Sequence, residues 1–247
     1  MYPDVTQINE FYHSPLGEQC QAVMADKLLS EWPELDGLRV GGFGYTLPLL
    51  SGLLPNTDIK ACIMPAPMGV TAWPQDGPNK AALAEETALP LPDESLDRLA
   101  VCHALEHVES PKKFLRELWR VTSEEGRVML LVPNRRSFWA LSDKTPFGHG
   151  RPFSRGQLAA LLRDSLFEVT RLSGVFYSWP GTSTLSVGMS RIIDPWGRNI
   201  WRNMPGVWMV EARKRVSAPL TDAQPVKRRA YAPAGLSSIH SSSPSSS

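Results

Sequence analysis

The sequence predicts an open, doubly wound α/β sheet built as one domain, and three observations carry that prediction. Helix-like and strand-like stretches alternate along the first 216 residues. The strand-like stretches are continuous apolar runs, such as RVMLLVP at 127–133, which implies cover on both faces as in a parallel sheet. One early run, LRVGGFG at 38–44, enters a glycine turn. Strand, helix, strand, helix, ending in two strands is the order of an open sheet with helices on both faces.

The elements follow in order. Residues 15–32 read as a helix, with Val23, Leu28 and Leu29 near helical spacing. The strand at 38–44 leads through its glycine loop into TLPLLSGLL at 46–54, a helix with Pro48 in its first turn. IKACIM at 59–64 is a strand stopped by Pro65 and Pro67. LDRLAVC at 96–102 is the third strand. Ser110 and Pro111 open a helix as cap and first residue, Phe114, Leu118 and Val121 form its apolar stripe, and Gly126 ends it. After the strand at 127–133, Ser154 and Gln157 form a capping box for the next helix. FEVTRLSGVF at 167–176 and VWMVEARKR at 207–215 are the last two strands.

Composition narrows the function. Net charge is +1, so no strong field steers the chain toward nucleic acid or an acidic membrane. No apolar run approaches the ~18 residues that span a bilayer, and MYPDVTQINEFYHS has no signal-peptide pattern. Cys20, Cys62 and Cys102 form no paired motif and read as reduced thiols, which suits a cytoplasmic protein. From Ser217 to Ser247 the chain turns to Pro, Ser and Ala and reads as a disordered tail, its Lys227, Arg228 and Arg229 a solvated cluster rather than a nucleic-acid site.

Ligands of such sheets sit at the carboxyl ends of the strands, which here means the loops 41–46, 64–69 and 102–108. GGFG alone is a weak signal, since a glycine turn after a strand is common. HALEH at 103–107 fits the H-x-x-E-H zinc pattern, yet it follows a strand and precedes the helix opened by Ser110, so His103 and His107 are expected in a loop and no metal is expected. In GHGRPFS, His149 can act as a base near neutral pH and Arg151 can clamp an acidic group; a plain surface turn fits equally. Residues 177–206 are rich in Trp, Met and Arg, and read as an insertion over the acceptor side, an apolar docking surface, or simple packing by Trp179, Trp196 and Trp201.

Residues 86–134, from ETALPLPD through HALEH and P-x-x-x-L-x-E-x-x-R-V to VPN, resemble the central segment of class I S-adenosyl-L-methionine (SAM) methyltransferases of the small-molecule type. The resemblance implies a seven-stranded Rossmann-like sheet with its last strand antiparallel, over residues 1–216, with SAM above the first two strands. It assigns the cofactor loop to Gly42, Phe43 and Gly44, an acid near the adenine to Glu85 or Glu86, and the cofactor floor to His103, Ala104 and Leu105. Met64 takes the position next to the ribose, Tyr12 covers the site, and Tyr45, His149 and Arg151 face the acceptor. His103 and His149 are the candidate bases. The expected partner is a small-molecule acceptor, not nucleic acid.

Three positions depart from the family pattern. Val40 and Met64 stand where it has acids, and Thr46 replaces the third glycine. A hydrogen bond to a charged group is worth ~1.5–3 kcal/mol, so losing one weakens cofactor binding roughly tenfold to a hundredfold. The alternatives are a regulatory protein with the same fold, motivated by Val40 and Met64, and a zinc hydrolase, motivated by HALEH.

Overall fold

The computed structural model describes residues 2–74, 76–177, 180 and 204–215. The tail from Ser217 and almost all of 177–206, including Trp179, Trp196 and Trp201, lie outside them.

Two helices open the chain. α1, Val5–Tyr12, is capped by the Asp4 side chain, which accepts from Thr6 N at 2.8 Å. The sequence reading has no helix there, because eight residues give too few turns for a clear period. α2, Pro15–Glu31, is capped by Ser14, whose Oγ accepts from Gly17 N at 3.1 Å. Its buried stripe is Cys20, Met24 and Leu28. Leu29, expected inside, is 41% exposed, since it stands about 100° around the helix from Leu28.

The sheet follows. β1 is Arg39–Gly44, β2 Asp58–Pro65, β3 Ala81–Ala84, β4 Leu96–Cys102, β5 Thr122–Pro133, β6 Phe167–Val175 and β7 Val207–Lys214. Their spatial order is β3-β2-β1-β4-β5-β7-β6. The first five pair in parallel, and β7 runs antiparallel between β5 and β6. This is the expected seven-stranded arrangement. The sequence reading passes over β3: its AALA has no apolar contrast and pairs with β2 alone.

β1 shows why both faces need cover. Gly42 faces α3, Leu47–Leu50, and an added Cβ would collide with Thr46 Oγ1 and lie 2.8 Å from Leu50 Cδ1. Phe43 faces the other way, its ring 4.9 Å from that of Phe114 on α4, Pro111–Val121. Full burial of one such ring stabilises by about 2–3 kcal/mol. α3 is one turn only and continues as a 3-10 segment, Ser51–Asn56, where a single longer helix is expected.

Two boundary details differ from expectation. Ser110 precedes α4 but its side chain makes no capping bond. Gly126 does not end α4, which stops at Val121; the chain enters β5 directly, with Thr122 Oγ1 donating to Leu118 O at 2.6 Å. The capping box of α5, Arg155–Asp164, is present: Gln157 N donates to Ser154 Oγ at 3.3 Å and Ser154 N to Gln157 Oε1 at 3.0 Å.

Candidate functional site

The parallel strands bring their carboxyl ends to one edge. The order turns back between β1 and β4, which opens a crevice where these two strands end. Gly44 leaves β1 with φ 80°, and an added Cβ would collide with Cys102 O and stand 3.0 Å from Ala104 Cβ. Only glycine allows that approach. Tyr45 N then donates to Cys102 O at 2.9 Å, which ties the glycine turn to the end of β4.

His103 leaves β4 in the left-handed region, φ 51°, a conformation uncommon for a non-glycine residue. That bend turns its ring into the crevice, fully buried. His103 Nε2 lies 2.8 Å from Tyr12 Oη, and the Phe147 ring packs on it at 4.8 Å. Tyr12 stacks on Tyr45 with centroids 5.6 Å apart, and Tyr45 Oη donates to Asn9 Oδ1 at 2.8 Å. The fold thus unites Tyr12, Gly44, Tyr45 and His103, drawn from segments far apart in sequence.

Glu106 lies below, also buried. Its Oε1 is 3.7 Å from His103 Nδ1 and 3.9 Å from His107 Nε2, beyond hydrogen-bond reach. Burial pushes the Glu106 carboxyl up to about 8. Burial, and then the neighbouring His107, hold His103 down to about 3. At neutral pH the crevice therefore holds an uncharged acid beside an uncharged imidazole. Placed so, His103 is a weak base, and its Nε2 is engaged by Tyr12. HALEH forms a turn, with His107 N and Val108 N both donating to Ala104 O, and α4 starts only at Pro111. Its two imidazoles do not share the helical turn that the zinc pattern needs.

The other expected residues are more dispersed. Met64 and Leu105 are buried at the ends of β2 and β4. Phe43 belongs to the core under α4, so only its main chain is near the crevice. Glu85 is exposed at the end of β3. Glu86 accepts from Tyr2 Oη at 2.7 Å and from Glu109 N at 3.4 Å. His149 and Arg151 are exposed side chains. Arg151 reaches the site through its main chain alone, its N–H donating to Glu106 O at 2.7 Å. From that loop it is Phe147 that enters the crevice, between His103, Phe11 and Trp139. The sequence signal for it is the apolar residue inside PFGHG.

A cavity of about 680 Å³ opens beside the crevice, with Tyr12, Tyr45, Pro48 and Trp73 among its walls. Sequence reasoning singles out the two tyrosines but not Trp73.

Residues 59–130 match the family model described as a methyltransferase domain. A probable S-adenosylmethionine-dependent methyltransferase of Mycobacterium tuberculosis is 35% identical over 107 residues, 42% of this chain and 38% of that protein. The matched segment thus spans little more than a third of this curated relative. Among solved structures, a SAM-dependent methyltransferase of Thermotoga maritima, described as a possible histamine N-methyltransferase, superposes with TM-score 0.59 at 19% identity, over 85% of this chain and 96% of that one. The cyclase SpnF superposes with TM-score 0.52 at 15% identity, over 88% and 98%. The superposed structures share the fold, and the curated relative is itself described as dependent on S-adenosylmethionine.

The residues fit that cofactor in part. The crevice between the Gly44–Tyr45 turn and the end of β4 suits it. The donor set lacks the two acids of the family pattern, since Val40 and Met64 are both buried apolar side chains.

Proposed function

We propose that this chain is a class I SAM-dependent methyltransferase that transfers a methyl group to a small-molecule acceptor in the cytoplasm. The observation that carries the reading is the crevice at the turn of strand order, where the Gly44–Tyr45 turn meets His103. The cofactor supplies an already activated methyl group. Gly44 and Tyr45 would hold it through the main chain, with Glu85 on the adenine side and Leu105 beneath. What remains for the chain's own residues is to align the acceptor with the methyl group and to exclude water. Tyr12, Phe147 and Leu105 make the crevice apolar around one imidazole. His103 fixes the Tyr12 ring through Nε2 and, with its pKa held at about 3, does not serve as the general base at neutral pH.

A second reading, a protein of this fold that transfers no methyl group, is favoured by Val40 and Met64. A cyclase shares the fold, so the fold alone does not decide the reaction. Calorimetric titration with S-adenosylhomocysteine separates the two. A Kd in the micromolar range is the expected result. Absence of heat up to millimolar ligand, from protein that melts cooperatively, would sink the methyltransferase reading.

A further inference from the structure

The cavity beside the crevice has a composition that selects its ligand. Three of its walls are aromatic: Tyr12, Tyr45 and Trp73. Each has its polar atom engaged elsewhere. Tyr12 Oη is bound to His103, Tyr45 Oη donates to Asn9, and Trp73 Nε1 donates to Ser51 Oγ at 3.2 Å. The rings therefore offer a ligand their carbon surfaces and not hydrogen bonds. The charged residues of the lining are Glu18 and Asp76, both exposed at the rim, and neither is ion-paired among the described residues. Among the described residues no lysine or arginine lines the space, and the one imidazole, that of His13, lies with Nδ1 2.8 Å from Asn9 O. The volume of about 680 Å³ suits a small organic molecule.

Aromatic surfaces attract cations through the ring quadrupole, by ~0.5–2 kcal/mol each as water is excluded. Two unpaired carboxylates at the mouth add attraction of the same sign and repel anions. We propose that this cavity binds a small organic amine distinct from the cofactor, its ammonium head against Tyr45 and Trp73 and its charge balanced by Glu18 and Asp76. The site stands on its own geometry and does not require the methyltransferase reading.

The probe is benzyltrimethylammonium, with benzyl alcohol as its uncharged counterpart, titrated at low salt while the indole N–H resonance of Trp73 is followed by NMR. The cation is expected to shift that resonance and to bind at least about tenfold more tightly than the alcohol. In the double variant Glu18→Gln, Asp76→Asn, both exposed and safe for folding, its affinity should fall about fivefold or more. Equal binding of cation and alcohol overturns the proposal, as does unchanged affinity in the double variant. Saturation with S-adenosylhomocysteine gives the second test: binding side by side supports the proposal, and loss of the cation's binding overturns it, because the cavity is then the cofactor's own. A protein that binds the cation but not S-adenosylhomocysteine keeps this site and loses the methyltransferase reading; the opposite result does the reverse.

Discussion

The two edges of the sheet treat polar groups in opposite ways. At the amino edge several charges are answered by multiple partners. Asp97, entering β4, accepts from Arg39 N at 2.9 Å, Nε at 2.9 Å and Nη2 at 2.8 Å, and from Ser123 Oγ at 2.9 Å. Arg120 binds Glu117, Asp93 and the carbonyls of Leu89 and Leu91. Lys214 holds Glu94 at 2.7 Å and Thr122 O at 3.0 Å while lying over the Trp119 ring. At the carboxyl edge Glu106 and His103 are buried deeper and bound less, with 3.7 Å between them. One edge uses polarity to fix where strands begin. The other keeps an acid and a base uncharged at a cost in stability, a pattern that belongs to sites of function.

Asp97→Ala should give the largest effect. It removes four hydrogen bonds at once and should lower unfolding free energy by about 2–3 kcal/mol, allowing for the half-exposed Arg39, with the urea midpoint as the readout. The guanidinium of Arg39 holds the Asp97 carboxyl well below the usual range. Its contribution is therefore present above the ordinary carboxylate pKa and lost as pH falls toward the folded value. Affinity for S-adenosylhomocysteine should not change; if it falls with stability, the two edges are not separate.

Glu106→Gln should have the opposite sign. The carboxyl is raised to about 8 in the folded protein. The advantage it gains from staying protonated is complete below the unfolded value of about 4.3 and is lost as pH rises to about 8. Glutamine is neutral throughout. The variant should match the native protein near pH 4 and exceed it increasingly up to pH 8, by several degrees in melting temperature. A constant difference across that range would mean that Glu106 is already charged in the fold.

The smallest effect belongs to His149→Ala and Arg151→Ala. Both side chains are exposed, and Arg151 touches Glu106 through its main chain. Unfolding free energy should change by less than about 0.5 kcal/mol for either. A larger loss in urea denaturation would place these side chains inside the crevice after all.

What can be read from the sequence follows the same division. β1, β2, β4 and β5 announce themselves because burial on both faces demands unbroken apolar runs. The capping box at Ser154 and Gln157 is a local rule that depends on nothing distant. β3 and α1 stay hidden because four residues of AALA and eight of VTQINEFY are defined by what they pack on. The glycine turn and His103 are legible as candidates. That Phe147, and not His149, enters the crevice is not, because a loop's inward residue is chosen by the cavity it meets. Glu106 reads as part of a zinc motif; its isolation between two imidazoles is a property of depth, which no spacing reveals.

The bond between Tyr12 and His103 joins residues 91 positions apart. A chain emerging from the ribosome completes α1 long before its partner exists. That helix must wait, undocked, until β4 and the aromatic loop at Phe147 have been made, so the crevice is closed late in folding by a segment synthesised early. A segment that docks last on a finished sheet is also the one that can leave with the rest intact. Hydrogen exchange should find the amides of α1 opening ahead of those of β1 and β4, and ligand entry would use the final step of assembly run backwards.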